Sequence, residues 1–287
     1  MYINDLNTCL RFCKYKLYAD DTVLYISTPV NLSAEQMLND DLKSLHTWCS
    51  GNKLTINPKK TKYMAVAASS RKLQNLRDIN LVLGTETIQK STEFKYLGIT
   101  IDNCLNFNKH FENLKQSVIY KIYLLNKIRC YMDEEASLKI YKAMILPLFT
   151  YGDVIYSATS STNLDALQVI QNRGLKTCLK PDPYIATTDL HRSAHVNKLD
   201  DLRKYSLTCF TFKRTLNPKY VDQRNLGTRS RVYPVLKADM KVHSRYLKSV
   251  QFRCYDLWSK LDITLKQIDT YPHLKEKLKL QLDALIV

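Results

Sequence analysis

The run YKLYADDTVLYIS, Tyr15–Ser27, places two strand-prone apolar stretches on either side of Ala19-Asp20-Asp21. β-Branched and aromatic residues flanking a short polar break predict a β-hairpin. Val23 and Tyr25 alternate with Leu24 and Ile26, so both faces are apolar, which predicts a strand in the middle of a domain. Asp20 and Asp21 stand side by side at the tip and repel each other. A divalent cation such as Mg²⁺ relieves that repulsion, because it takes hard oxygen ligands and usually keeps substrate phosphates among them. A strand end also holds a ligand in place more closely than a loop does. An ordinary Asp-rich turn is the plainer alternative.

Outward from the hairpin, SAEQMLNDDLKSLHTWCSGN reads as a helix. Ser33 and Gln36 have the spacing of a capping box. Leu38, Leu42, Leu45 and Trp48 step along one face, and Gly51 is the expected stop. Asp40 and Asp41 are read as its solvated face. KYMAVAA, INLVLG and EFKYLGITID come next as three short strand regions. Beyond Asn108 the period turns helical: Phe111, Leu114, Val118, Ile122 and Leu125 form one stripe. The next helix, DEEASLKIYKAMILPLFTYG, opens on acids suited to a helix N-terminus. TNLDALQVIQNRGLKTCL makes a third. The expected class is therefore α+β, a small antiparallel sheet with a helix over 1–105, then a helical region over 106–200 and a basic helical tail over 201–287.

The 287 residues carry a net charge of +16, which favours a polyanionic partner or simply keeps the chain soluble. Residues 53–77 hold Lys53, Lys59, Lys60, Lys62, Arg71, Lys72 and Arg77 and no acid. From Arg203 to Lys260, fourteen Lys and Arg face only Asp222, Asp239 and Asp256. Tyr205, Phe210, Phe212, Tyr220, Tyr233, Tyr246, Phe252, Tyr255 and Trp258 are interleaved with them. Cations track phosphates and aromatic faces stack bases, although rings at helical spacing, such as Phe252, Tyr255 and Trp258, suit a core. The N-terminus lacks a signal peptide, and AMILPLFTYGDVIYSA is short for a bilayer span and carries Pro147 and Asp153. An intracellular protein with eight reduced cysteines and no membrane partner is expected. Cys9 and Cys13 lack the second pair a zinc site needs. His191 and His195, four apart on one helix face, could hold a metal, but no third ligand accompanies them and a packed surface face is the plainer reading.

Tyr18-Ala19-Asp20-Asp21 between two apolar strands resembles the catalytic hairpin of reverse transcriptases. The order of the segments downstream is similar to that in non-LTR retrotransposons, the jockey-like elements of insects in particular. LHTWCSGNKLTINPKKTKYMAVAAS looks like that family's helix, Asn-x-x-Lys-Thr turn and Met-containing strand, and FKYLGITID resembles its primer-gripping hairpin. ILPLFTYGDVIYS and LQVIQNRGLKTCL are similar to its thumb and connection, and GTRSRVYPV and SVQFRCYDLWSKL to its tail.

The resemblance implies a partial polymerase palm followed by a helical thumb and connection, acting on an RNA template and a DNA primer. Its chemistry is nucleotidyl transfer assisted by two Mg²⁺ (or Mn²⁺) ions, with the primer 3′-OH attacking the α-phosphate. It implies Asp20 and Asp21 as metal ligands and Tyr18 beside the primer terminus. Lys60 matches the position facing the departing pyrophosphate, or is a solvated lysine of a basic loop. Lys53, Lys59 and Lys62 would meet the nucleic acid, and Phe94, Lys95, Tyr96, Leu97 and Gly98 would position the primer. The family places its fingers, its first catalytic Asp and a Gln-Gly loop before the segment that here reads MYINDL. A chain without them is expected to be inactive alone. The alternatives are a non-catalytic nucleic-acid-binding protein derived from a retroelement and a decayed reading frame.

Overall fold

The structure is a computed structural model that describes residues 3, 5–27, 33–67, 70–74, 77–157, 159–217, 250–268 and 270–284, apart from the side chains of Ser33 and Gln251. The chain divides into two compact units, Met1–Leu105 and Asn106–Val287. It is mixed α+β and mostly helical, with small two-stranded sheets. Among the described residues no helix is long and apolar enough to cross a membrane, and all eight cysteines are free thiols.

In the first unit, β1 (Lys14–Tyr18) and β2 (Asp21–Tyr25) pair antiparallel, with Tyr15 opposite Leu24, Lys16 opposite Val23 and Tyr18 opposite Asp21. Alternation sends Tyr15, Leu17 and Leu24 onto helix α1 (Ser33–Gly51). They pack there with Leu6, Leu45 and Cys49. The other face carries Lys14, Lys16, Tyr18, Asp21, Val23 and Tyr25, nearly all exposed. The expectation of a mid-domain strand is thus corrected: the ribbon is two strands wide among the described residues, and only one of its apolar faces is covered.

The rest of the unit is assembled on α1. Asn39 clamps the strand that comes after it, donating to the Asn80 carbonyl and accepting from the Val82 amide, both at 2.9 Å. This seats Leu81, Leu83 and Ile88 against Leu42. The expected strand KYMAVAA shrinks to β3 (Lys62–Tyr63); α2 (Ser70–Gln74), β4 (Val82–Leu83), β5 (Glu86–Thr87) and β6 (Gln89–Lys90) succeed it. β3 pairs parallel with β6, and beyond it the Ala67 amide donates to the Asn103 carbonyl at 3.1 Å. β4 and β5 pair antiparallel, and β7 (Glu93–Tyr96) and β8 (Ile99–Asp102) close a third antiparallel hairpin. The helix ends at Gly51, as expected, but the left-handed residue of its ending is not the glycine. Lys53 takes the left-handed φ of 57°, Leu54 donates to Cys49 and Lys53 to Ser50, which is a Schellman ending around a lysine. The side chain on which the Ser33 capping box depends lies outside the described residues.

In the second unit the stripe Phe111, Leu114, Val118, Ile122 and Leu125 of α3 (Asn108–Ile128) is buried throughout. Asp133 caps α4 (Glu134–Ile140) by accepting from the Ala136 amide at 2.7 Å. A π-helical segment, Tyr141–Ile145, then leads into α5 (Leu146–Thr150). Pro147 explains it: a proline has no N–H for the carbonyl four residues back, and its ring crowds that carbonyl, so the helix widens before it. α6 (Asp153–Tyr156), α7 (Ser161–Leu179), α8 (Thr187–Ala194) and α9 (Leu199–Thr215) complete this layer. Gly174 lets α7 approach closely, since a Cβ there would lie 2.7 Å from the Tyr141 ring. α10 (Val250–Lys260), α11 (Ile263–Lys266) and α12 (Tyr271–Ala284) pack on α9 through Phe212, Cys254, Trp258, Leu274 and Leu278. Trp258 and Phe212 are therefore core rings. Tyr220, Tyr233, Tyr246, the GTRSRVYPV segment and most of the second basic run lie outside the described residues.

Candidate active site

The first hairpin turns in two residues, Ala19 and Asp20. Ala19 has φ 52° while Asp20 does not have positive φ. A positive φ at a central position of a two-residue hairpin turn ordinarily favours glycine. Holding an alanine in it costs on the order of 1–2 kcal/mol. The strain sits immediately before the carboxylate pair. Asp20 and Asp21 are exposed and Tyr18 is 64% exposed. Among the described residues neither carboxylate is paired with a cation.

What fixes the approach to this tip is a third carboxylate. Asp41, on α1, is only 1% exposed. It accepts from the backbone N–H of Arg11 at 2.8 Å, Phe12 at 2.9 Å and Cys13 at 2.6 Å, the residues that lead into β1. Burial alone would raise its pKa. The three amide donors more than offset that and hold the carboxyl below its usual range. Burial, and then the neighbouring Asp41, push the Cys13 thiol up to about 12. The reading of Asp41 as solvated is corrected. The available signal was its position, three residues after Leu38 and four before Leu45, on the apolar stripe of the helix.

The lysines lie on the surface of the same unit. Asn57 closes a single turn, its carbonyl accepting from the Lys60 and Thr61 amides at 3.2 and 3.1 Å. Its side-chain oxygen also accepts from Lys60 at 3.3 Å. The turn directs Lys59 and Lys60 outward. Lys53, Lys59, Lys60 and Lys62 are all exposed, and none pairs with Asp20 or Asp21 among the described residues. At the turn between β7 and β8, Leu97 and Gly98 have φ 46° and 81°. Two left-handed residues make a type I′ turn, here with leucine in the first place. Phe94, Lys95 and Gly98 are exposed, and Tyr96 and Leu97 half-buried.

Residues 1–101 match the family described as "Reverse transcriptase (RNA-dependent DNA polymerase)". The first unit belongs to the reverse transcriptase family. The chain is related to jockey-like retrotransposon enzymes. It is 25% identical over 214 residues, 74% of this chain and 23% of the relative, to the RNA-directed DNA polymerase from mobile element jockey of Drosophila melanogaster. It is 25% identical to the jockey enzyme of Drosophila funebris over 231 residues, 77% of this chain and 25% of that one. The probable RNA-directed DNA polymerase from transposon BS of Drosophila melanogaster is 27% identical over 190 residues, 64% and 20% of the two chains. The chain thus spans a quarter or less of these relatives' length. No solved structure matches it.

Reverse transcriptases use divalent metal ions, and the donors at the hairpin tip suit such ions in kind. Two carboxylates give hard oxygens, and no ammonium pairs with them among the described residues. In number they are only part of a site, because Mg²⁺ demands near-octahedral coordination. No cluster of three His, Cys, Asp or Glu side chains that could hold a metal occurs among the described residues. The histidine pair contributes nothing to one. His191 is buried rather than on the surface, with Nδ1 bonded to the Val196 carbonyl at 2.8 Å and Nε2 to Asn172 at 2.9 Å. His195 is exposed and takes the left-handed φ of 48° that ends α8. Both ring nitrogens of His191 are committed to the core.

Proposed function

We propose that this chain carries part of the palm and the thumb of an RNA-directed DNA polymerase from a non-LTR retrotransposon. Residues 1–105 are the palm portion, 106–200 the thumb and connection, and 201–287 a basic tail. Asp20 and Asp21 hold a Mg²⁺ or Mn²⁺ ion, which when bound favours attack at a nucleotide phosphate by stabilising developing negative charge. Tyr18 lies beside the primer terminus. Lys60 neutralises departing pyrophosphate; Lys53, Lys59 and Lys62 meet the phosphates of an RNA–DNA duplex; Phe94, Lys95, Tyr96, Leu97 and Gly98 position the primer strand. The observation that carries this reading is the tip itself: an exposed carboxylate pair with no counter-ion among the described residues, on a ribbon anchored by the three hydrogen bonds of Asp41.

Titration of the 287-residue chain with Mn²⁺, read by the loss of the free-ion paramagnetic resonance signal, tests it. Binding by the parent that disappears in Asp20→Asn/Asp21→Asn is expected. Equal binding by the double variant ends the assignment. The small number of carboxylates grouped among the described residues favours a second outcome on the same material: no primer extension on poly(rA), with Mg²⁺ or Mn²⁺. The chain then acts as a nucleic-acid-binding element, and extension abolished by Asp20→Ala would show instead that it completes its own site.

A further inference from the structure

A groove of about 550 Å³ opens on the second unit where the end of α3, the outer face of α7 and the start of α8 converge. Its chemistry has one sign. Arg129, Arg173 and Lys176 line it together with Asn126, Thr177 and Thr187, and no acid does. Arg173 and Lys176 stand three apart on the exposed face of α7.

Two further features stand beside these cations. Arg129 is 9% exposed. One terminal nitrogen is fixed by donation to the Cys178 carbonyl at 3.1 Å, while its buried Nε has no hydrogen-bond partner. A buried guanidinium N–H left unbonded is costly. The same side chain lines the groove and brings its fixed positive charge to it. The second feature is the start of α8, eight residues long, whose Thr187 lines the groove. Its N-cap is Ala186, which has no side-chain acceptor for the first-turn amides. Uncapped amides and the positive end of a helix dipole favour an anion.

From these residues we infer that the groove binds a phosphate group, with Arg129, Arg173, Lys176 and the α8 N-terminus as its donors. The site is independent of the roles given to Asp20 and Asp21 and lies entirely within the second unit. The fixed guanidinium presents directional N–H donors, as phosphate oxygens require. The open form and volume of the groove admit either a phosphodiester of a nucleic-acid strand or a free phosphate, the same chemistry from two sources.

The test uses the full chain and two probes, inorganic pyrophosphate by calorimetry and a labelled single-stranded oligothymidylate by fluorescence anisotropy. Arg173→Glu/Lys176→Glu changes only exposed side chains and is expected to weaken one or both probes by about tenfold or more. Loss with the oligonucleotide identifies a strand phosphodiester, and loss with pyrophosphate alone a free phosphate. Lys277→Glu/Lys279→Glu makes the same charge change on α12 and is expected to stay within about twofold of the parent. Arg129→Lys, which keeps the charge and removes the fixed guanidinium, should also weaken binding; if it fails to fold, the double variant decides alone. Unchanged affinity for both probes in the double variant overturns the site. So does an equal loss in the α12 control, or the same loss with an uncharged methylphosphonate oligonucleotide.

Discussion

At the scale of single residues, Asp41 matters as much to the candidate site as the aspartates at the tip. Its carboxylate replaces the strand partner that Arg11, Phe12 and Cys13 would otherwise need, and so sets where β1 begins. Asp41→Ala is expected to cost about 3 kcal/mol, because three amides lose a charged acceptor in a place water does not reach. Asp41→Asn should cost less, since its amide oxygen still accepts. The pH dependence has a definite sign. The folded-state pKa lies below the unfolded value of about 3.9, so the stabilisation is complete above that value and is lost as pH falls through the folded pKa. Acid titration followed by circular dichroism should show the parent losing more stability than Asp41→Asn below about pH 4. An identical acid response in the two proteins would show that Asp41 contributes no linkage.

At the scale of elements, hairpins and amphipathic helices were legible in the sequence, because alternation and helical stripes are local patterns. The buried faces of α3 and the placing of α7 followed from apolar spacing. What escaped was non-local or concerned backbone geometry. Asp41 pairs with amides some thirty residues away; Lys53 rather than Gly51 supplies the left-handed ending of α1; and the helix through Tyr141 widens because of a proline further on. Gly174 belongs with these, because nothing near it in sequence announces the Tyr141 ring. A Cβ on Gly174 would meet that ring at 2.7 Å and Ile122 at 3.2 Å. Alanine usually favours a helix over glycine by about 1 kcal/mol. Here the clash should outweigh that gain, giving a net loss of about 1–3 kcal/mol. Thermal melting measures it, and Tyr141→Leu in the same chain should recover part of the loss. A Gly174→Ala protein as stable as the parent would mean that α7 can move aside freely.

At the scale of the whole molecule, the family was legible because its motif is written in adjacent letters and its further segments follow in order. The phosphate groove was not, being assembled from residues 126–190 on three helices. Charge acts over the entire chain. The exposed cations of 53–77 predict that affinity for an RNA–DNA duplex falls with added salt. For about six phosphate contacts the fall is on the order of a thousandfold between about 50 and 200 mM. Filter binding across that range is the measurement, and a flat response would remove the electrostatic basis for the partner.

The narrow ribbon of β1 and β2 has one more consequence. Two strands alone are marginal in water, and the backbone groups along each rim, unpaired among the described residues, are an open template for another chain to lengthen the sheet. Lys14 and Lys16 sit on the first of those rims, where an incoming strand would have to bury their ammonium groups. Their charge guards the polypeptide against stacking on itself.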